Sequence, residues 1–241
     1  MKYRCIVKSP EAVVQLIAAS YLRHGYYWYV TGYIPADKDP TQVDRKLIEK
    51  YQIAVTEWER ARRRKAGLAN AQFIRYDRWF IILLTSGHHK IRDSIRDGGE
   101  GENIKDCRRY PITLAGYSIS YRRSGVVPIG GQHSWHAHVR IDAKTYSALR
   151  AYVQYIAAHH NSEALAKELA AIPFARYAPV RRQLLCLVRL VNRVRSQRGF
   201  ELIPYSVLSL RRQPVKVYDE PAEPLIRHYA ERIRTAVVGG R

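Results

Sequence analysis

The chain has 241 residues, 46% of them apolar, which is enough to bury a core, and its 41 Lys and Arg against 21 Asp and Glu give a formal net charge of +20. A surface this cationic selects a polyanion, with nucleic acid first because each neutralised phosphate releases counterions. There is no apolar run of about 18 residues, no signal-type apolar region and no lipidation signal, so no membrane partner is expected. The dispersed Cys5, Cys107 and Cys186 exclude a Cys-based zinc finger and fit a reducing, cytoplasmic location.

In chain order, residues 2–7 (KYRCIV) alternate as a short strand. A helix follows over 9–25, with Ser9 as N-cap, Pro10 at the first helical position and Gly25 as terminator. Residues 25–34 read as an aromatic strand, and 39–67 as one or two helices capped by Asp39 ahead of Pro40. Two apolar runs flank Tyr76-Asp77-Arg78, and the second, WFIILLT, is dense enough to be a fully buried strand at the centre of a sheet. Residues 86–109 are polar and glycine-rich and read as a loop. Residues 110–123 and the run WHAHVRI (135–141) read as strands that pair antiparallel.

The last hundred residues turn helical over 142–160, 162–172 and 178–199. In the third of these, Leu184, Leu187, Val188, Val191 and Val194 recur at helical spacing while Arg181, Arg182, Arg189, Arg193, Arg195 and Arg198 occupy the remaining surface. The tail beyond Gly199 is proline-rich, predicting an extended arm with one short helix near 223–236. The fold expected is therefore α+β: an antiparallel, ferredoxin- or RRM-like sheet of β-α-β and meander pieces with C-terminal helices. Residues 1–141 form the sheet domain, 142–200 a helical region packed on or beside it, and 201–241 the arm.

Strand alternation puts His136 and His138 of WHAHVRI on one face, a spacing that can chelate a metal ion. This histidine-hydrophobe-histidine strand resembles the signature of the HUH endonucleases, a superfamily of rolling-circle replication initiators, relaxases and single-tyrosine transposases. The resemblance implies that His136, His138 and one further ligand hold Mg²⁺ or Mn²⁺ and polarise a phosphate of single-stranded DNA, which a tyrosine attacks. His133, His88 and His89 are candidates for the third ligand. Tyr177 is the leading nucleophile, with Arg176, Arg181 and Arg182 around it; Tyr155 and Tyr152 are the next candidates. At Tyr177 arginine stands where the family places lysine, and Pro179 interrupts the motif.

For binding, the densest cation cluster is Arg62-Arg63-Arg64-Lys65. Tyr27 and Tyr29 share a strand face that could stack on unpaired bases, and Arg181, Arg182, Arg189 and Arg193 face phosphate. The expected function is a strongly basic nucleic-acid-binding protein, DNA or RNA, acting as a metal-dependent nickase of single-stranded DNA. Two alternatives stand beside it. One is a non-catalytic subunit with protein partners in a ribonucleoprotein complex. The other is a metal-independent RNA-processing enzyme, resembling the CRISPR RNA endonucleases, with histidines as acid and base.

Overall fold

The computed structural model describes residues 3–92, 104–125, 131 and 134–218. The first helix, α1 (Pro10–Leu16), starts as its sequence dictates: the Ser9 side chain accepts from the Ala12 amide at 3.2 Å and Pro10 sits in the first turn. It does not continue to Gly25 as one α-helix. Residues Ile17–Tyr21 widen into a π-turn and Leu22–His24 tighten into a 3₁₀ turn before Gly25 ends the segment at φ 88°. The π-turn bonds residues five apart, so Ile17 and Leu22 share a face and both are fully buried.

Of the strand expected over 2–7, the described residues 3–7 form a single parallel bridge between Ile6 and Arg75. Strand β1 (Trp28–Tyr33) is followed by helices α2 (Pro40–Lys50) and α3 (Glu57–Lys65) and then by a hairpin of β2 (Ala71–Tyr76) and β3 (Trp79–Leu84). Asp77, at φ 51°, makes the tight turn of that hairpin. With the short β4 (Lys105–Asp106), these form a four-stranded antiparallel sheet of order β2-β3-β1-β4. That order is the ferredoxin-like one, but it begins at residue 28 rather than at residue 2.

Both faces of this sheet are covered. Tyr29, Ile74, Ile81 and Leu83 point toward α1, and Val30, Phe73, Ile82 and Leu84 point toward Val43, Leu47 and Ile48 of α2, which is why β3 reads as an unbroken apolar run. A buried ion pair joins α2 to the sheet: Arg75 Nε donates to both Asp44 oxygens at 2.8 and 2.9 Å, with both residues over nine-tenths buried. Burial pushes the Asp44 carboxyl up while Arg75 pulls it down.

A second antiparallel sheet holds β5 (Ile112–Leu114), β6 (Tyr117–Arg123) and β7 (Trp135–Ile141), in that order. The stretch 110–123, expected as one strand, is a hairpin turned at Ala115 and Gly116, with φ 46° and 79°. A Cβ on Gly116 would also sit 3.1 Å from the Phe174 ring. Tyr117, Ile119 and Val139 of this sheet face the same apolar cluster as α1, so α1 lies between the two sheets.

Three helices close the described chain: α4 (Ala143–His159), α5 (Ser162–Ala170) and α6 (Ala178–Gln197), with Asp142 and Asn161 capping the first two. Their core of Val153, Ile156, Leu165, Leu169, Leu184, Leu187, Val188 and Val191 includes Ile141 at the end of β7. The Gln183 side chain brackets the Ile141 backbone, accepting from its N–H at 2.8 Å and donating to its carbonyl at 3.0 Å. Arg195, expected on the surface, is 4% exposed and donates to the His160 carbonyl at 2.9 Å.

The C-terminal segment is extended but docked. Ile203 and Leu208 enter the helical core, and the Gln15 side chain of α1 holds the Val215 carbonyl and N–H at 2.9 and 3.0 Å. The helix expected near 223–236 lies outside the described residues. No helix among the described residues is long and apolar enough to cross a membrane.

Asp44→Ala leaves Arg75 buried and unpaired and is expected to cost about 3–5 kcal/mol in urea unfolding, whereas the double change Asp44→Ala with Arg75→Met recovers most of that loss. Equal losses in the single and double variants would contradict this account.

Candidate nucleic-acid interface

The β6–β7 register places Ser118, Ser120 and Arg122 directly opposite Arg140, His138 and His136. Because neighbouring residues alternate, these six share one face, and Tyr117, Ile119, Tyr121, Trp135, Ala137 and Val139 share the other. The His136 and His138 ring centroids lie 6.4 Å apart at 60°, and Arg122 Nε donates to Ser120 Oγ at 3.1 Å. His138 Nδ1 is buried without a hydrogen-bond partner. Burial, then the charges of Arg122, His136 and Arg140, lower the His138 pKa and favour its neutral form.

The expected metal site meets a donor set of different character. Among the described residues no group of three or more His, Cys, Asp or Glu gathers, and His133 lies outside them. His88 is bridged to Leu68, and the His89 ring lies 6.3 Å from Tyr51, a residue of the apolar layer beneath α2. Among the described residues the two imidazoles have guanidinium groups rather than carboxylates beside them, whereas Mg²⁺ and Mn²⁺ prefer oxygen ligands and compensating negative charge. The imidazoles and guanidinium groups do fit an anionic phosphate.

The three candidate tyrosines have other partners. Tyr177 packs against both main apolar clusters, and Arg212 lies over its ring at 4.9 Å; burial raises its pKa, which works against a phenolate. Tyr152 donates to Glu168 at 2.9 Å. Tyr155 stacks on His159 at 4.5 Å on the exposed side of α4.

The aromatic strand face also differs from expectation. Tyr29 is 4% exposed, and its hydroxyl donates to the Tyr110 and Pro111 carbonyls at 3.0 Å, so it is a core residue. Tyr27 precedes β1 and stacks on Tyr121 at 4.8 Å, and Tyr121 stacks in turn on Trp135 at 5.7 Å. Arg108 lies 4.9 Å from the centroid of the Tyr27 ring. Nothing in the local sequence announces this ladder, because Tyr27 and Tyr121 meet only through the packing of two sheets.

Of the α3 cluster, Arg62 covers Trp58 at 5.0 Å, Arg63 is tied to the Gln52 carbonyl and side chain at 3.0 and 3.1 Å, and Arg64 and Lys65 are exposed. On α6, Arg181, Arg182, Arg189 and Arg193 are all exposed. Arg189 and Arg193 join Arg150 and Tyr146 of α4, with Cys186 and Leu190, around a cleft of about 310 Å³. Neither α4 nor α6 carries an Asp or Glu, so this cleft is a cationic groove. The place of Arg150 beside Arg189 and Arg193 was not legible in the sequence, because it depends on how the two helices pack.

No family model matches this chain, and comparison with curated proteins and with solved structures finds no match.

Two outcomes follow from the geometry. Because folding lowers the His138 pKa, the unfolded chain binds more protons below the ordinary imidazole value of about 6.5, so stability falls as pH drops through that region; His138→Gln flattens this part of the stability-pH curve. Burial pushes the Cys5 and Cys107 thiols up to about 11 and 12, whereas Cys186 is exposed. A chromogenic disulfide reagent therefore reacts fast with Cys186 alone, and polyphosphate slows it if the arginine cleft holds anions; an unchanged rate counts against anion binding there.

Proposed function

We propose that the protein binds nucleic acid and that the His136–His138 face of the second sheet engages a backbone phosphate. The observation that carries this reading is the composition of that face: two imidazoles, Ser120, Arg122 and Arg140, gathered on adjacent strands. Guanidinium groups bind phosphate oxygens in charge-assisted pairs, and a neutral imidazole can donate one hydrogen bond and accept another. The exposed arginines of α6 and the end of α3 extend the same chemistry and supply affinity that does not depend on sequence.

A second reading, cleavage of bound RNA without metal, is favoured by the 6.4 Å spacing of the two imidazoles. One would take the proton of an attacking 2′-hydroxyl while the other protonates the departing 5′-oxygen, and Arg122 and Arg140 would offset the charge on the phosphorus centre.

Labelled single-stranded DNA and RNA, incubated with the full chain in Mn²⁺ or in EDTA, distinguish these readings. Salt-sensitive binding with neither strand cut supports the binding function alone, and RNA cut in EDTA but not by His138→Ala supports the second reading. A Mn²⁺-dependent covalent DNA adduct restores the nickase, and absence of binding at low salt removes the proposal. Arg189→Ala and Arg193→Ala are each expected to reduce the slope of log affinity against log salt by about 1.

A further inference from the structure

We infer that Trp135 is a stacking platform for an unpaired base, which would make the bound nucleic acid single-stranded; the inference rests on the proposed function. Trp135 is 47% exposed although it begins a strand whose alternate residues Val139 and Ile141 are fully buried. One side of its indole is occupied by Tyr121. Tyr121 also stacks on Tyr27, and over the Tyr27 ring lies Arg108, which is fixed by a pair of contacts to Asp106 at 2.9 and 2.8 Å.

The successive ring planes differ by 23° and 15°, so the rings form a ladder with a common direction. A guanidinium lies against Tyr27, and Trp135 contributes a half-exposed indole. Stacking of a base on such a ring contributes without regard to base identity, because every base has a π-face. The orientation is already set by the layers beneath, so little rotamer freedom remains to be lost on binding.

The surroundings fit a nucleotide rather than an apolar partner. Arg123 lies directly across the strand pair from Trp135, and Arg122 lies across from His136, the next residue along. Both arginines are exposed. A base on the indole thus has Arg123 beside it on the same face for its own phosphate, whereas Arg122 and His136 lie on the opposite face of the strand pair, reached round its exposed end. The interior pairs of a duplex cannot use this platform, because their bases are stacked on one another and expose only their edges, which leaves only the terminal pairs able to reach it.

The test compares the full chain with Trp135→Ala and Trp135→Phe by fluorescence anisotropy, using labelled oligothymidine, oligouridine and a duplex of equal length. Trp135→Ala is expected to weaken both single strands about 5- to 150-fold, the range for one lost base stack, and to leave the duplex within about twofold; Trp135→Phe retains most of the single-strand affinity. If Trp135→Ala binds all three like the unchanged protein, or weakens all three equally while its melting temperature is unchanged, the platform is overturned. A melting temperature that falls together with all three affinities, and that Trp135→Phe restores without restoring single-strand preference, overturns it as well. Failure of the unchanged protein to bind any of the three at low salt would instead remove the underlying proposal of nucleic-acid binding.

Discussion

The apolar segment through Ala12, Val13, Val14, Ile17, Ala18 and Leu22 fills the space between two sheets, and every one of these side chains is buried. At about 1.5–3 kcal/mol for each large side chain removed from water, this layer contributes much of what holds the sheets together. It also decides their orientation. Because α1 claims the face of Tyr117, Ile119 and Val139, strand alternation turns His136, His138, Ser120 and Arg122 the other way. The polar composition of that face thus follows from the apolar composition of a helix more than a hundred residues earlier.

Acidic side chains are scarce, and several of those described are committed to the fold. Asp44 pairs with Arg75 in the interior, Asp106 holds Arg108 over the Tyr27 ring, and Asp142 caps α4 by accepting from the Thr145 amide. Partial burial raises the Asp142 carboxyl, but hydrogen bonds from Thr145 and Lys144 together with the Lys144 charge bring it below its usual range. The cations of α4 and α6 are left without neutralising partners on their own helices, so their field extends outward from a surface of one sign.

What was legible in the sequence were features governed by near neighbours. Ser9 and Pro10 announced α1, Asp39 and Pro40 announced α2, and the pairing of β6 with β7 followed from two alternating runs. The hairpin at Ala115 and Gly116 was hidden because both flanks continue the same apolar pattern and only one of the two turn residues is a glycine. Residues 2–7 have the alternation of a strand, yet Cys5 and Val7 are held by the backbone of one residue, Arg75. Within the candidate site, the His136–His138 pair follows from a period of two, whereas the Tyr27–Tyr121–Trp135 ladder and the arginine cleft are products of tertiary packing. Tyr29 was misread because an aromatic strand looks the same whether its hydroxyls reach water or backbone carbonyls.

The grip of Gln15 on Val215 joins positions 200 residues apart. A ribosome extends the chain from its N-terminus, so α1 emerges long before the segment that clasps its outer side has been synthesised. Until then, the first helix and the sheets around it must hold together through their own apolar contacts. With the bond from the Lys8 N–H to the Val217 carbonyl, the clasp is among the last long-range contacts that the described chain can complete, and the N-terminal layer reaches its final structure only after the segment through Val217 has left the exit tunnel.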